Sequence, residues 1–154
     1  MSNHTYDVTL RWEGTTAGGP AAYSRNHTVG PAGNELSATA DPNYGGDPAL
    51  LNPEQLFVMA LSSCQMLTFL AVAAHRGVDV RDYADEATGI MPTTERPVRI
   101  THVTLRPRIT VAAGTDVELV DRLVEKGHRG CFIANSVTTE VAIEPTVIVL
   151  DGEV

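Results

Sequence analysis

Across residues 56–74 the chain carries no formally charged side chain, a run long enough to span a lipid bilayer on length alone. Its middle reads Ser62, Ser63, Cys64, Gln65 and Thr68, a polar belt that hydrocarbon disfavours, and the flanking sequence alternates like soluble β structure. The stretch therefore predicts a core helix, apolar on nearly all sides, that needs cover from sheet and from a partner subunit. No membrane partner is expected. The helix start is well marked: Asn52 suits the N-cap, Pro53 the first helical position, and Glu54 places a negative charge at the positive helix end. Running to Arg76, with Gly77 as its stop, the helix would measure about 36 Å.

A chain of 154 residues has room for one compact domain, 1–154, able to complete its core by pairing with a second copy. The basic residues number 11 against 19 acidic ones and are scattered, so nucleic acid is not an expected partner. Ahead of the helix, Tyr6, Val8, Leu10 and Trp12 alternate with polar residues as in a half-buried strand, and Tyr23, Arg25, His27 and Val29 would share one face of a second. Prolines and glycines across 30–51 leave a structured loop with one short strand. Beyond Gly77, residues 78–91 and 98–111 read as strands, the latter with a bulge near Thr101 or His102 and an irregularity at Pro107. Thr115 and Glu118 spell a capping box before the apolar stripe Val117, Val120, Leu123 and Val124, and Lys126 and Gly127 would end this second helix. A closing strand over 137–150 completes an α+β order.

Two cysteines are too few for a disulfide scaffold, and the first residues lack the basic-then-apolar order of a secretory signal, so the cytoplasm is the expected compartment. There Cys64 and Cys131 are either two unrelated buried thiols or a reversible couple. A thiol inside an apolar helix stays protonated unless a cation or a hydrogen-bond donor reaches it, and Arg25 and Arg11 are the candidate cations. Glu54 lies about 15 Å from Cys64 along a straight helix and on another face. To serve that thiol it must act through an arginine, a bend, or an antiparallel copy of the helix in a dimer. His128 could activate Cys131 as a base or simply complement a helix C-terminus. The spacing of Cys64, Cys131, His128 and His102 matches no zinc pattern, and neither a phosphate loop nor a GxSxG elbow is present.

Asn52-Pro53-Glu54-Gln55-Leu56-Phe57, then Leu61-Ser62-Ser63-Cys64, and later Gly127-His128-Arg129-Gly130-Cys131-Phe132-Ile133-Ala134-Asn135-Ser136, resembles the OsmC/Ohr family of thiol-dependent hydroperoxide reductases. The likeness extends over most of the chain. It implies an intertwined α+β homodimer with antiparallel sheets wrapped around the long helix. It further implies that Cys64 is the peroxidatic cysteine, attacking an organic hydroperoxide and becoming a sulfenic acid, and that Cys131 resolves it to a disulfide. No cofactor and no metal would be bound; an external dithiol, a lipoylated protein in Ohr-type enzymes, would reopen the disulfide. The family pairs a catalytic arginine with the glutamate matching Glu54. Some members carry that arginine in the loop where this chain has Tyr44, Gly45 and Gly46, so Arg25, in an early strand or turn, is the best match and Arg11 the second. The alternative is a non-enzymatic OsmC-like dimer that binds a small hydrophobic ligand or acts as a thiol redox sensor.

Overall fold

The computed structural model describes residues 3–152. They form two compact units, Met1–Leu56 and Phe57–Val154, with one helix beginning at the end of the first and continuing into the second.

In the first unit β1 (Thr9–Arg11), β2 (His27–Gly30) and β3 (Leu36–Ala38) make an antiparallel meander, with Leu10 opposite Val29 and Thr28 opposite Ser37. The first strand is shorter than its alternation suggests. Tyr6, Val8 and Leu10 are all exposed, so its apolar residues have no layer to pack on within this chain. Arg25 lies ahead of β2 rather than on it, in the irregular segment that enters the strand. After β3 the loop is held by the buried Thr39, whose hydroxyl donates to Asn26 Oδ1 at 2.9 Å and accepts from the Asp47 amide. Asp41 caps a short 3-10 turn over Pro42–Tyr44, and Gly45 follows with φ +81°. Gly46 then passes so close to Ala40 that a Cβ there would sit 1.6 Å from the Ala40 carbonyl oxygen.

Helix α1 (Pro53–His75) starts where expected. Asn52 Oδ1 accepts from the Gln55 amide, and Gln55 Oε1 accepts from the Asn52 amide, a reciprocal cap. At its other end Gly77, with φ +70°, ends the helix while Val78 donates to the Ala73 carbonyl.

Six strands and a second helix complete the second unit. They are β4 (Val80–Asp85), β5 (Thr88–Ile90), β6 (His102–Leu105), β7 (Pro107–Val111), α2 (Val117–Arg129), β8 (Glu140–Ile143) and β9 (Thr146–Val149). These strands form two three-stranded sheets, ordered β4-β7-β9 and β5-β6-β8. The fold class is α+β, as expected, but the sheets are mixed rather than antiparallel: β6 runs parallel to β8, and β7 parallel to β9. Each long strand expected from the pattern is split. Pro107 opens β7 and Pro145 separates β8 from β9, because a ring nitrogen cannot donate to a continuing ladder. The bulge falls in β4, between Val80 and Asp82, and not near Thr101.

The cap of α2 also differs from the expected box. Asp116, not Thr115, is the N-cap and accepts from the Glu118 amide, while Thr115 donates back to the Ala112 carbonyl. Gly127 does not end α2. It sits inside the helix against α1, where a Cβ would lie 3.0 Å from the Phe69 backbone, so its role is close helix approach. The main core gathers Phe69 and Ala73 of α1, Ile109 and Val111 of β7, and Val120, Leu123 and Val124 of α2. A second cluster places Leu61 of α1 against Val103 and Leu105 of β6.

Only one stripe of α1 is buried, namely Leu61, Gln65, Phe69 and Ala73 at four-residue spacing. Met59 and Leu67 on other faces are 47% and 59% exposed, so within this chain the helix is fully covered along one stripe alone.

Candidate active site

Cys64 sits half-buried midway along α1, and Cys131 follows directly on α2 with 1% exposure. Both are free thiols. The Gly127–Ser136 motif folds into a tight reversal around the second cysteine. The Cys131 amide donates to the His128 carbonyl, the Asn135 amide to the Cys131 carbonyl, and the Ala134 amide reaches Cys131 Sγ at 3.4 Å. Asn135 Nδ2 closes on the Arg129 carbonyl, and Ser136 Oγ on that of Phe132. The turn thus encloses its sulfur and leaves Phe132 74% exposed.

Burial raises the Cys131 pKa above the ordinary thiol value, and the side chain and charge of the neighbouring Cys64 raise it further. The Ala134 and Ile133 amides act in the opposite direction. His128 is not among the groups that shift it. Because the folded pKa is raised, the thiol form persists to higher pH than in an unfolded chain. Mapped by mass spectrometry, alkylation of Cys131 by iodoacetamide is expected to show a midpoint above the ordinary value of about 8.5. A midpoint at or below that value would contradict the upward shift.

The surroundings of Cys64 are pinned. Ser62 donates to Asp85 Oδ2 at 2.5 Å, tying α1 to the end of β4, and Asp85 Oδ1 takes the Arg106 amide at 2.6 Å. Gln65 is 1% exposed and donates through Nε2 to the Val124 carbonyl of α2 at 3.1 Å. Sequence reasoning placed Gln65 only in a polar belt. Its position on the Leu61–Phe69–Ala73 stripe is the signal that would have marked it as interior.

Arg25 and Glu54 both belong to the first unit. The Arg25 guanidinium stacks on the Tyr23 ring at 4.5 Å and donates to the Tyr23 and Pro20 carbonyls at 3.1 and 2.7 Å. Its other neighbour is Gly45, where a Cβ would lie 3.0 Å from Cζ. The guanidinium therefore packs on the loop in which other family members, by the resemblance, carry their own arginine. Among the described residues Glu54 makes no ion pair, and its Oε2 is buried without a hydrogen-bond partner. Arg11 pairs with Glu13 in an exposed position. His102, which opens β6, bonds Thr101 just before it and Glu140 of β8, and among the described residues no three His, Cys, Asp or Glu side chains converge as metal ligands.

An α+β fold with one cysteine midway along its long helix and a second just after its short helix defines the class. The family model described as OsmC-like protein matches residues 45–146. An OsmC-like protein of unknown function from Vibrio cholerae is 33% identical, superimposes with a TM-score of 0.83, and is matched over 95% of this chain and 100% of its own. The chain belongs to the OsmC/Ohr family. An organic hydroperoxide resistance protein from Elizabethkingia anophelis shares the fold, with a TM-score of 0.69 at 21% identity over 97% of this chain and 100% of that one. The uncharacterized protein YmaD of Bacillus subtilis is 23% identical over 94% of this chain and 93% of its own length.

Proposed function

We propose that this protein is a cytoplasmic thiol peroxidase that reduces organic hydroperoxides to alcohols. The observation that carries the reading is a pair of free thiols on separate elements of one compact unit, with Cys64 among the groups that raise the pKa of Cys131. The Cys64 thiolate attacks the peroxide, the O–O bond breaks, and the alkoxide leaves as an alcohol with one proton; Cys64 becomes a sulfenic acid. Cys131 then displaces that hydroxyl as water, forming the disulfide, and an external dithiol such as a dihydrolipoyl protein reduces it by exchange. No bound cofactor takes part. Arg25 is assigned the cation that favours the thiolate and the departing oxygen, with Glu54 orienting it. The buried, unpartnered Glu54 Oε2 supports this assignment, since such an oxygen is costly unless a donor reaches it. That relatives bear the name organic hydroperoxide resistance protein points the same way. The test is turnover of an organic hydroperoxide with dihydrolipoamide; no turnover would leave the ligand-binding reading of the fold.

The working form is proposed to be a homodimer. Helix α1 leaves Met59 and Leu67 uncovered, and Phe132 beside Cys131 stands out, an apolar display that suits a second copy. Sedimentation is expected to give twice the 16.5 kDa chain mass for wild type, and Leu67→Asp is expected to shift the population to monomer. A monomeric wild type would end the dimer proposal.

A further inference from the structure

We propose that Gln65 is a positioning residue for disulfide formation, holding the end of α2 so that Cys131 stays against Cys64; this rests on the reading that the two thiols form a reversible disulfide. Among the described residues, its bond to the Val124 carbonyl is the one side-chain hydrogen bond joining α1 to α2. Val124 itself is 2% exposed, and the last turn of α2 with its Gly130 cap leads from it to Cys131, so a displacement at Val124 is carried toward the sulfur. Gly127, on the same stretch, brings the two backbones to close contact at Phe69. The bond at Gln65 therefore sets the register of a crossing whose spacing Gly127 sets.

Packing alone does not account for an amide here. Gln65 Oε1 is buried with no partner, as is Nδ1 of His128 one turn beyond Val124. A leucine or methionine would fill the same stripe without that cost. A buried polar group kept at such a cost is suited to specifying one arrangement of the helices over its neighbours. Because Val124 is a mid-helix carbonyl with its own helical donor, losing the glutamine leaves it bonded, and little global stability is lost.

The experiment equilibrates wild type, Gln65→Leu and Gln65→Met with glutathione: the protein dithiol plus glutathione disulfide gives the protein disulfide plus two glutathione thiols. Both variants are expected to fold with near wild-type melting temperatures and to lower this equilibrium constant about tenfold, the fold-change that one net hydrogen bond represents. In a parallel single turnover with an organic hydroperoxide, sulfenic acid is expected to form at the wild-type rate but to convert to disulfide more slowly. An unchanged glutathione equilibrium in the folded variants, or no Cys64–Cys131 disulfide in wild type, overturns the proposal. If Gln65→Leu does not fold, Gln65→Met, unbranched and of similar length, decides. The glutathione arm needs no peroxide chemistry, so a wild type inert to peroxide sinks the peroxidase reading and leaves this one standing.

Discussion

Cys64→Ser is expected to abolish turnover of organic hydroperoxide, lowering kcat/KM by roughly 1,000-fold or more, because a hydroxyl in the same place is almost wholly protonated and a poor nucleophile toward oxygen. Cys131→Ser should fail differently. With no second sulfur the Cys64 sulfenic acid has no partner in its chain, so one equivalent of peroxide is consumed, the sulfenic acid accumulates, and steady-state turnover with a dithiol falls sharply. A carbon-nucleophile trap read by mass spectrometry distinguishes the two. A Cys64→Ser protein that still turns over, or a Cys131→Ser protein that traps nothing, would remove the two-cysteine cycle. The contrast is informative because the two sulfurs have different settings: Cys64 is half-buried within a helix, and Cys131 is enclosed by the reversal that its own segment makes.

Gly46→Ala is expected to be the most damaging single methyl in the first unit. The added carbon would lie 1.6 Å from the Ala40 carbonyl oxygen and 2.4 Å from its carbon, so backbone, not a flexible side-chain end, has to move. The loop it would displace carries Thr39, Asp47 and Gly45, and with Gly45 the seat of the Arg25 guanidinium. A cost of about 3 kcal/mol, the upper part of the overpacking range, corresponds to a fall in Tm of roughly 10 °C for a chain of this size. Thermal unfolding followed by circular dichroism measures it, and a Tm within a degree of wild type would show that the loop can open without cost.

Much of this was legible from residue pattern. Asn52, Pro53 and Glu54 mark the start of α1 because capping is local chemistry, written within one turn, and Gly77 marks its end for the same reason. The strand breaks at Pro107 and Pro145 were less legible: alternation carries on through a proline, whereas the ladder does not. Sheet membership was not legible at all, since nothing local tells that β8 joins β6 and β9 joins β7. The pairing of Cys64 with Cys131 is implied by resemblance; the residues alone leave two unrelated thiols open. Glycines 46 and 127 act through close approach, which depends on what lies opposite in space. Gln65 was hidden because a polar residue amid apolar ones reads equally as solvent-facing or as a buried tie.

Pro145 divides a short ribbon whose two halves finish different sheets, β8 beside β6 and β9 beside β7. A nascent chain in which residues 140–149 have not yet emerged therefore lacks the third strand of both sheets, and their edges stay open until that ribbon arrives. The same stitching makes the two sheets share one fate: drawing the ribbon out strips both together, and their amides exchange with solvent as a unit.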